Sequence, residues 1–141
     1  MQIVRTVNVA RPVEEAFAYL LDFTNTEEWD PGTIRTIRES GDGGVGTRYH
    51  NVSRFLGRRT ELTYVVEEVS APTLIRLRGE NSTVVAHDHL RLRPTQSGGT
   101  EVTYRARFDF KGLARLAAPL TAPAFWRLGT LAERSLVEAL G

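Results

Sequence analysis

The sequence predicts one α+β domain, with a seven-stranded antiparallel sheet covered by a long C-terminal helix. Three observations carry this expectation. Residues 102 to 110 alternate: Val102, Tyr104, Ala106, Phe108 and Phe110 share one phase, and Thr103, Arg105, Arg107 and Asp109 the other. Such a strand has one apolar and one wet face. Between residues 33 and 110 turn-forming segments recur, and the loops are too short for parallel crossovers, so neighbouring strands run antiparallel. Helical periodicity is confined to a stretch after residue 11 and to the chain beyond Gly112.

Taken in order, residues 3 to 9 are rich in β-branched side chains and alternate at Val7, Asn8 and Val9, as a half-buried strand does. "RPVEEAFAYLLD" then opens a helix. Pro12 suits its first turn, Glu14 and Glu15 favour its positive end, and Val13, Phe17, Leu20 and Leu21 fall on one face. Asn25 or Thr26 is placed to cap a second short helix, which Pro31-Gly32 ends. Later turns are marked by "GDGGVG" at 41 to 46, "LGRR" at 56 to 59, "SAPT" at 70 to 73, "GENS" at 79 to 82 and "TQSGGT" at 95 to 100. From Gly112 to Leu140 the pattern is helical and would reach about 43 Å at 1.5 Å per residue. Pro119 and Pro123 predict a break or kink between Ala117 and Pro123, since an interior proline costs roughly 3 kcal/mol. No repeat, linker or low-complexity segment divides residues 1 to 141, so a single domain is expected.

Composition removes several function classes. At 141 residues, 41% hydrophobic and 25% charged, the chain can bury a core of its own. Eighteen Lys and Arg against 17 Asp and Glu leave +1, which gives no global field for nucleic acid or anionic membrane. The absence of cysteine removes disulfides, thiolate nucleophiles and Cys-ligated metals. "MQIVRTVNV" reads as a strand and not as a secretory leader, which predicts a cytoplasmic location and makes "NST" at 81 to 83 a turn. The most apolar stretch, 113 to 128, contains Arg115, Pro119, Pro123 and Arg127, so stable membrane insertion is not expected. A monomer or homodimer fits these bounds.

A twisted sheet touches a straight helix along only part of its length. Here the start of that helix, "LARLAAPLTAPA", is poor in bulky residues, and Tyr49, Tyr64, Asp88 and Tyr104 take inward strand positions. Aromatic hydroxyls and a carboxylate suit an amphipathic ligand cavity better than a dry core. The plain alternative is a filled core with tyrosine hydroxyls at its rim.

"HDH" at 87 to 89 is the one cluster resembling a catalytic or metal site. Leu90 and Leu92 set the inward phase, sending His87 and His89 outward beside Arg91 and Arg93. With only His50 as a further imidazole, neither a metal nor a cofactor is expected. The same phase turns Asp88 inward, where burial raises its pKa. It then serves as a general acid or base, or is a carboxylate satisfied by neighbouring donors. No serine sits in a nucleophile elbow, and "GDGGVG" joins two strands, so phosphate cradling at a helix N-terminus is not expected.

The succession "VNVARPVEEAFAYLLDFTNTEEWDPG", "GDGGVGTRY", "LRLRPTQSGGTEVTYRARFDF" and a long helix resembles the polyketide cyclase/dehydrase branch of the SRPBCC, or START-like, superfamily. Pro12, Phe17, Asp22, Trp29-Asp30-Pro31, Gly44-Val45-Gly46-Thr47 and Gly99-Thr100 carry the likeness, which spans nearly the whole chain. It implies a helix-grip fold: a curved sheet wraps around the last helix and leaves a deep apolar tunnel. Members bind or transport lipids, polyketides and sterols, and some are aromatases or cyclases. The paired prolines depart from the usual pattern. The resemblance also places Trp29 near one end of the tunnel, where it either anchors its loop or touches ligand. The expected lining is Trp29, Tyr49, Tyr64, Asp88 and Tyr104, joined by Phe108 of the last strand and Phe125 of the last helix. Carriage of a hydrophobic small molecule is the first reading, and a cyclase, aromatase or dehydratase using Asp88 the second.

Overall fold

The computed structural model describes all residues from Met1 to Gly141. Its elements are β1 (Gln2–Val9), α1 (Val13–Leu21), a 3-10 turn (Phe23–Asn25), α2 (Thr26–Trp29), β2 (Thr33–Ser40), β3 (Arg48–Phe55), β4 (Arg58–Ser70), β5 (Leu74–Glu80), β6 (Val84–Pro94), β7 (Thr100–Phe110) and α3 (Ala114–Leu140). The strands form one antiparallel sheet in the order β1-β7-β6-β5-β4-β3-β2. β2 to β7 therefore meander through hairpins, and β1 returns to pair with β7, setting Ile3 opposite Ala106 and Val7 opposite Val102.

α1 buries Val13, Phe17 and Leu20 of the stripe read from the sequence, together with Ala16, against the inner face of the sheet, while Leu21 is half-buried. Asn25 takes the N-cap position of α2, one of the two expected, but makes no side-chain cap bond. Asp22 caps the preceding 3-10 turn, accepting from the backbone N–H of Thr24 at 3.1 Å. Asn25 instead donates to the Tyr19 carbonyl at 2.7 Å, and the Thr26 hydroxyl is buried 2.6 Å from that of Thr36. Both side chains tie α2 to its surroundings, so neither is free to cap it.

α3 also departs from expectation: it runs unbroken from Ala114 to Leu140 through both prolines. The reason is where they lie. Pro119 and Pro123 are exposed, and the carbonyls they leave without a helical partner, those of Arg115 and Pro119, belong to exposed residues that water can reach. The missing donors thus cost less than in a buried helix.

The core lies between the inner sheet face, α1 and the second half of α3. Gly129 lets α3 approach β1 closely, since a Cβ there would stand 2.7 Å from Cγ2 of Ile3. Arg5 of β1 fastens the crossing, donating to the Trp126 carbonyl at 3.1 Å and pairing with Glu133 at 3.7 Å.

Candidate functional site

A cavity of about 210 Å³ remains between the inner sheet face and α3. Its existence explains an anomaly in β7. Val102 and Ala106 are buried, but Tyr104, Phe108 and Phe110, on the same inner phase, are only half-buried because they face the void. Phe125 descends from α3 among phenylalanines of the sheet. Its ring lies 4.2 Å from Phe55 in a stacked arrangement, 4.6 Å from Phe108 and 6.1 Å from Phe110. This apolar end is the mouth, with Arg54 and Thr83 exposed beside it.

The inner end is polar. Trp29 is fully buried and meets the Tyr104 ring edge-on at 5.4 Å. Tyr64 crosses the wall over Gly79, its partner on β5, where an added Cβ would stand 2.7 Å from the Tyr64 ring. A glycine opposite Tyr64 is therefore a condition of the ring's position. Asp30 lines the same end and accepts from the Gly32 N–H at 3.0 Å and the Thr33 hydroxyl at 2.9 Å.

Asp88 sits on β6 between inward Ala86 and Leu90, buried, as the alternation of the strand requires. It stands behind Tyr104, whose hydroxyl donates to Oδ2 across a long 3.4 Å. Its other oxygen has no partner, and neither does the indole N–H of Trp29. Burial first, then the charge of Asp30, push the Asp88 carboxyl up to about 7. Burial likewise raises Asp30, and it drives the phenols of Tyr64 and Tyr104 well above their ordinary range. A carboxylic acid poised near neutrality and linked to the cavity through one phenol can exchange a proton with something bound there.

The residues singled out from the sequence thus divide. Trp29, Tyr64, Tyr104, Phe108 and Phe125 line the cavity. Asp88 reaches it only through Tyr104, and Tyr49 does not line it. Tyr49 is buried beside the Phe23 ring, 5.7 Å away, a ring that also lies 4.8 Å from Tyr64. Asp30, Phe55 and Phe110 are cavity residues that sequence reasoning passed over. Phe110 was legible in the β7 alternation; Asp30 had only its Asp-Pro-Gly turn as a signal. On the outer face His87 lies 3.3 Å from Asp109, while Arg76, Arg91 and Arg105 around His89 lower its pKa after burial has done so. His50 is on β3, paired with Glu61 at 2.8 Å, so the three imidazoles do not converge. The glycine loop closes on itself: Gly43 N–H donates to the Thr47 hydroxyl and Gly44 N–H to Asp42. Asn81 accepts from the Thr83 and Val84 amides, making "NST" a side-chain-stabilised turn.

No curated protein matches the chain. Solved structures do. The Zhui aromatase/cyclase from Streptomyces sp. R1128 superimposes with a TM-score of 0.84 at 14% identity, covering 99% of this chain and 93% of that one. A START superfamily protein from Mycobacterium smegmatis gives 0.76 at 15% identity over 99% of each chain. The di-domain ARO/CYC StfQ from the steffimycin biosynthetic pathway gives 0.73 at 14% identity, with 99% of this chain on 50% of that one. At such identities these likenesses establish a shared helix-grip fold and nothing finer. The sequence profile described as polyketide cyclase / dehydrase and lipid transport matches residues 1–139, and the chain belongs to that family.

Proposed function

We propose that the protein binds a hydrophobic small molecule bearing one polar head, and that it acts as a carrier. The observation that carries this reading is an apolar cavity whose inner end holds a buried indole N–H without a partner, with an unpartnered carboxyl oxygen behind Tyr104. Unpaired buried polar atoms cost free energy that a ligand hydroxyl or carbonyl would recover at Trp29. Phe55, Phe108, Phe110 and Phe125 would hold the apolar body. Native mass spectrometry of the purified protein tests this, together with titration by an apolar naphthalene dye. Trp29 emission, read in a Trp126→Phe background, is expected to shift on binding. Trp29→Phe is expected to weaken a ligand with a hydrogen-bond acceptor roughly five- to tenfold, the worth of one such bond. Unchanged affinity would return Trp29 to loop anchoring.

Proton transfer is the second reading, favoured by the Asp88 carboxyl near neutrality and its contact with Tyr104. Here Tyr104 touches the substrate and Asp88 acts through it. Asp88→Asn would keep binding and lower turnover about 10²- to 10⁴-fold, the usual contribution of acid–base catalysis. A carrier loses nothing in that variant beyond a modest change in affinity.

A further inference from the structure

The rim of the cavity mouth carries a surface that ligand binding does not use. Leu113, Leu116 and Leu120 are 85%, 78% and 83% exposed at the start of α3. Their spacing places them on one helical face, and Phe125 points the other way, into the cavity. Leu56, at the tip of the β3–β4 turn directly after Phe55, is 62% exposed. Isolated exposed leucines are ordinary, whereas three on successive turns beside a ligand entrance form a patch that calls for an occupant.

Charge identifies it. From Ser53 to Thr60 and from Lys111 to Ala132 there is no acidic residue. Arg54, Arg58, Arg59, Arg115 and Arg127 in these segments are exposed and none forms an ion pair. The acidic residues bordering these segments are engaged elsewhere: Glu80 by Lys111 and Arg78, Glu61 by His50, Asp109 by His87 and Arg107, and Asp30, inside the cavity, by the Gly32 N–H and the Thr33 hydroxyl. A second copy of the chain is a poor occupant, since symmetric pairing would bring these arginines against themselves. Apolar side chains flanked by unneutralised arginines suit an anionic lipid surface, where leucines enter the headgroup boundary and guanidinium groups meet phosphate.

We propose that the mouth of the cavity docks on an anionic lipid bilayer through Leu56, the outward leucines of α3 and these five arginines. The contact is peripheral, since no helix is long and apolar enough to cross a membrane. Docking would seat the entrance against the phase in which a hydrophobic ligand resides, so the inference rests on the carrier reading. It needs only a local segregation of charge that a net +1 conceals.

Co-sedimentation with phosphatidylcholine vesicles, with and without phosphatidylglycerol, tests it. The full-length protein is expected to bind the anionic vesicles, to bind neutral ones far less, and to dissociate in 1 M salt, where the Debye length shrinks to about 3 Å. Arg58→Gln with Arg59→Gln is expected to weaken binding about tenfold or more. Leu116→Ser with Leu120→Ser is expected to weaken it about tenfold through the lost apolar insertion. Thermal melts of both double variants should match the parent, because every altered side chain is exposed. No binding to anionic vesicles, equal binding to both kinds, or unaltered binding by both double variants would overturn the proposal. So would a dimer in sedimentation velocity that the leucine variant dissociates, since the face would then join two copies. Dye titration without vesicles separates this from the carrier reading: dye binding with no vesicle binding removes docking alone, and the reverse removes the carrier alone.

Discussion

From Gly129 onward α3 is seated on the protein, with Ala132 5%, Leu136 1% and Leu140 0% exposed. From Ala114 to Ala124 no residue of the same helix is buried. Both halves are helical and both are rich in leucine and alanine. The difference lies beneath them. The second half meets β1 through small residues that permit close approach, and its last carbonyl accepts from the Arg11 N–H at 3.1 Å. The first half spans the entrance of a cavity, and one large inward residue, Phe125, closes its inner side. Hydrophobicity of a segment therefore reports neither its burial nor its role. Burial depends on what the backbone leaves underneath.

Four variants break or sharpen this contrast. Leu136→Ala should destabilise by about 2 to 5 kcal/mol, as deletions from a packed core do, measured by denaturant unfolding. A value close to that of a surface change would mean the second half is less firmly seated than its burial implies. Gly129→Ala comes next. Alanine favours helix by about 1 kcal/mol, yet its Cβ would stand 2.7 Å from Ile3, so a net loss of roughly 1 kcal/mol is expected. Stabilisation instead would show that α3 can lift off β1 freely.

Asp88→Asn probes the floor of the cavity between the halves. The folded protein holds the Asp88 proton up to about pH 7, above the unfolded value near 4. The group's contribution to stability is therefore fully present below about pH 4 and declines as pH rises to about 7. The asparagine side chain does not ionise, so the variant should melt several degrees above the parent at pH 8 and near it at pH 4. A pH-independent difference would mean that Asp88 is not buried as an acid. The smallest effect belongs to the first half of α3: Leu116→Ser with Leu120→Ser should change stability by less than about 0.5 kcal/mol per site. A large loss would place those leucines in a packed contact.

The sheet, its antiparallel order and its turns were legible because each rests on local rules: alternation with period two, and turn residues between short strands. The inward phase of Asp88 followed from Leu90 and Leu92 for the same reason, as did the outward phase of His87 and His89. Three decisions lay beyond the sequence. Tyr49 and Tyr64 face one another across β3 and β4 on the inner side and both pack on Phe23, yet only Tyr64 lines the cavity, its ring lying over Gly79 of β5. Pro119 and Pro123 break a helix by local rules, yet their exposure to water let α3 continue. Net charge and composition averaged over the chain hid the unpaired arginines and exposed leucines of the β3–β4 turn and the first half of α3. Periodicity is a property of neighbours along the chain, whereas voids, water access and charge clustering arise between segments far apart in it.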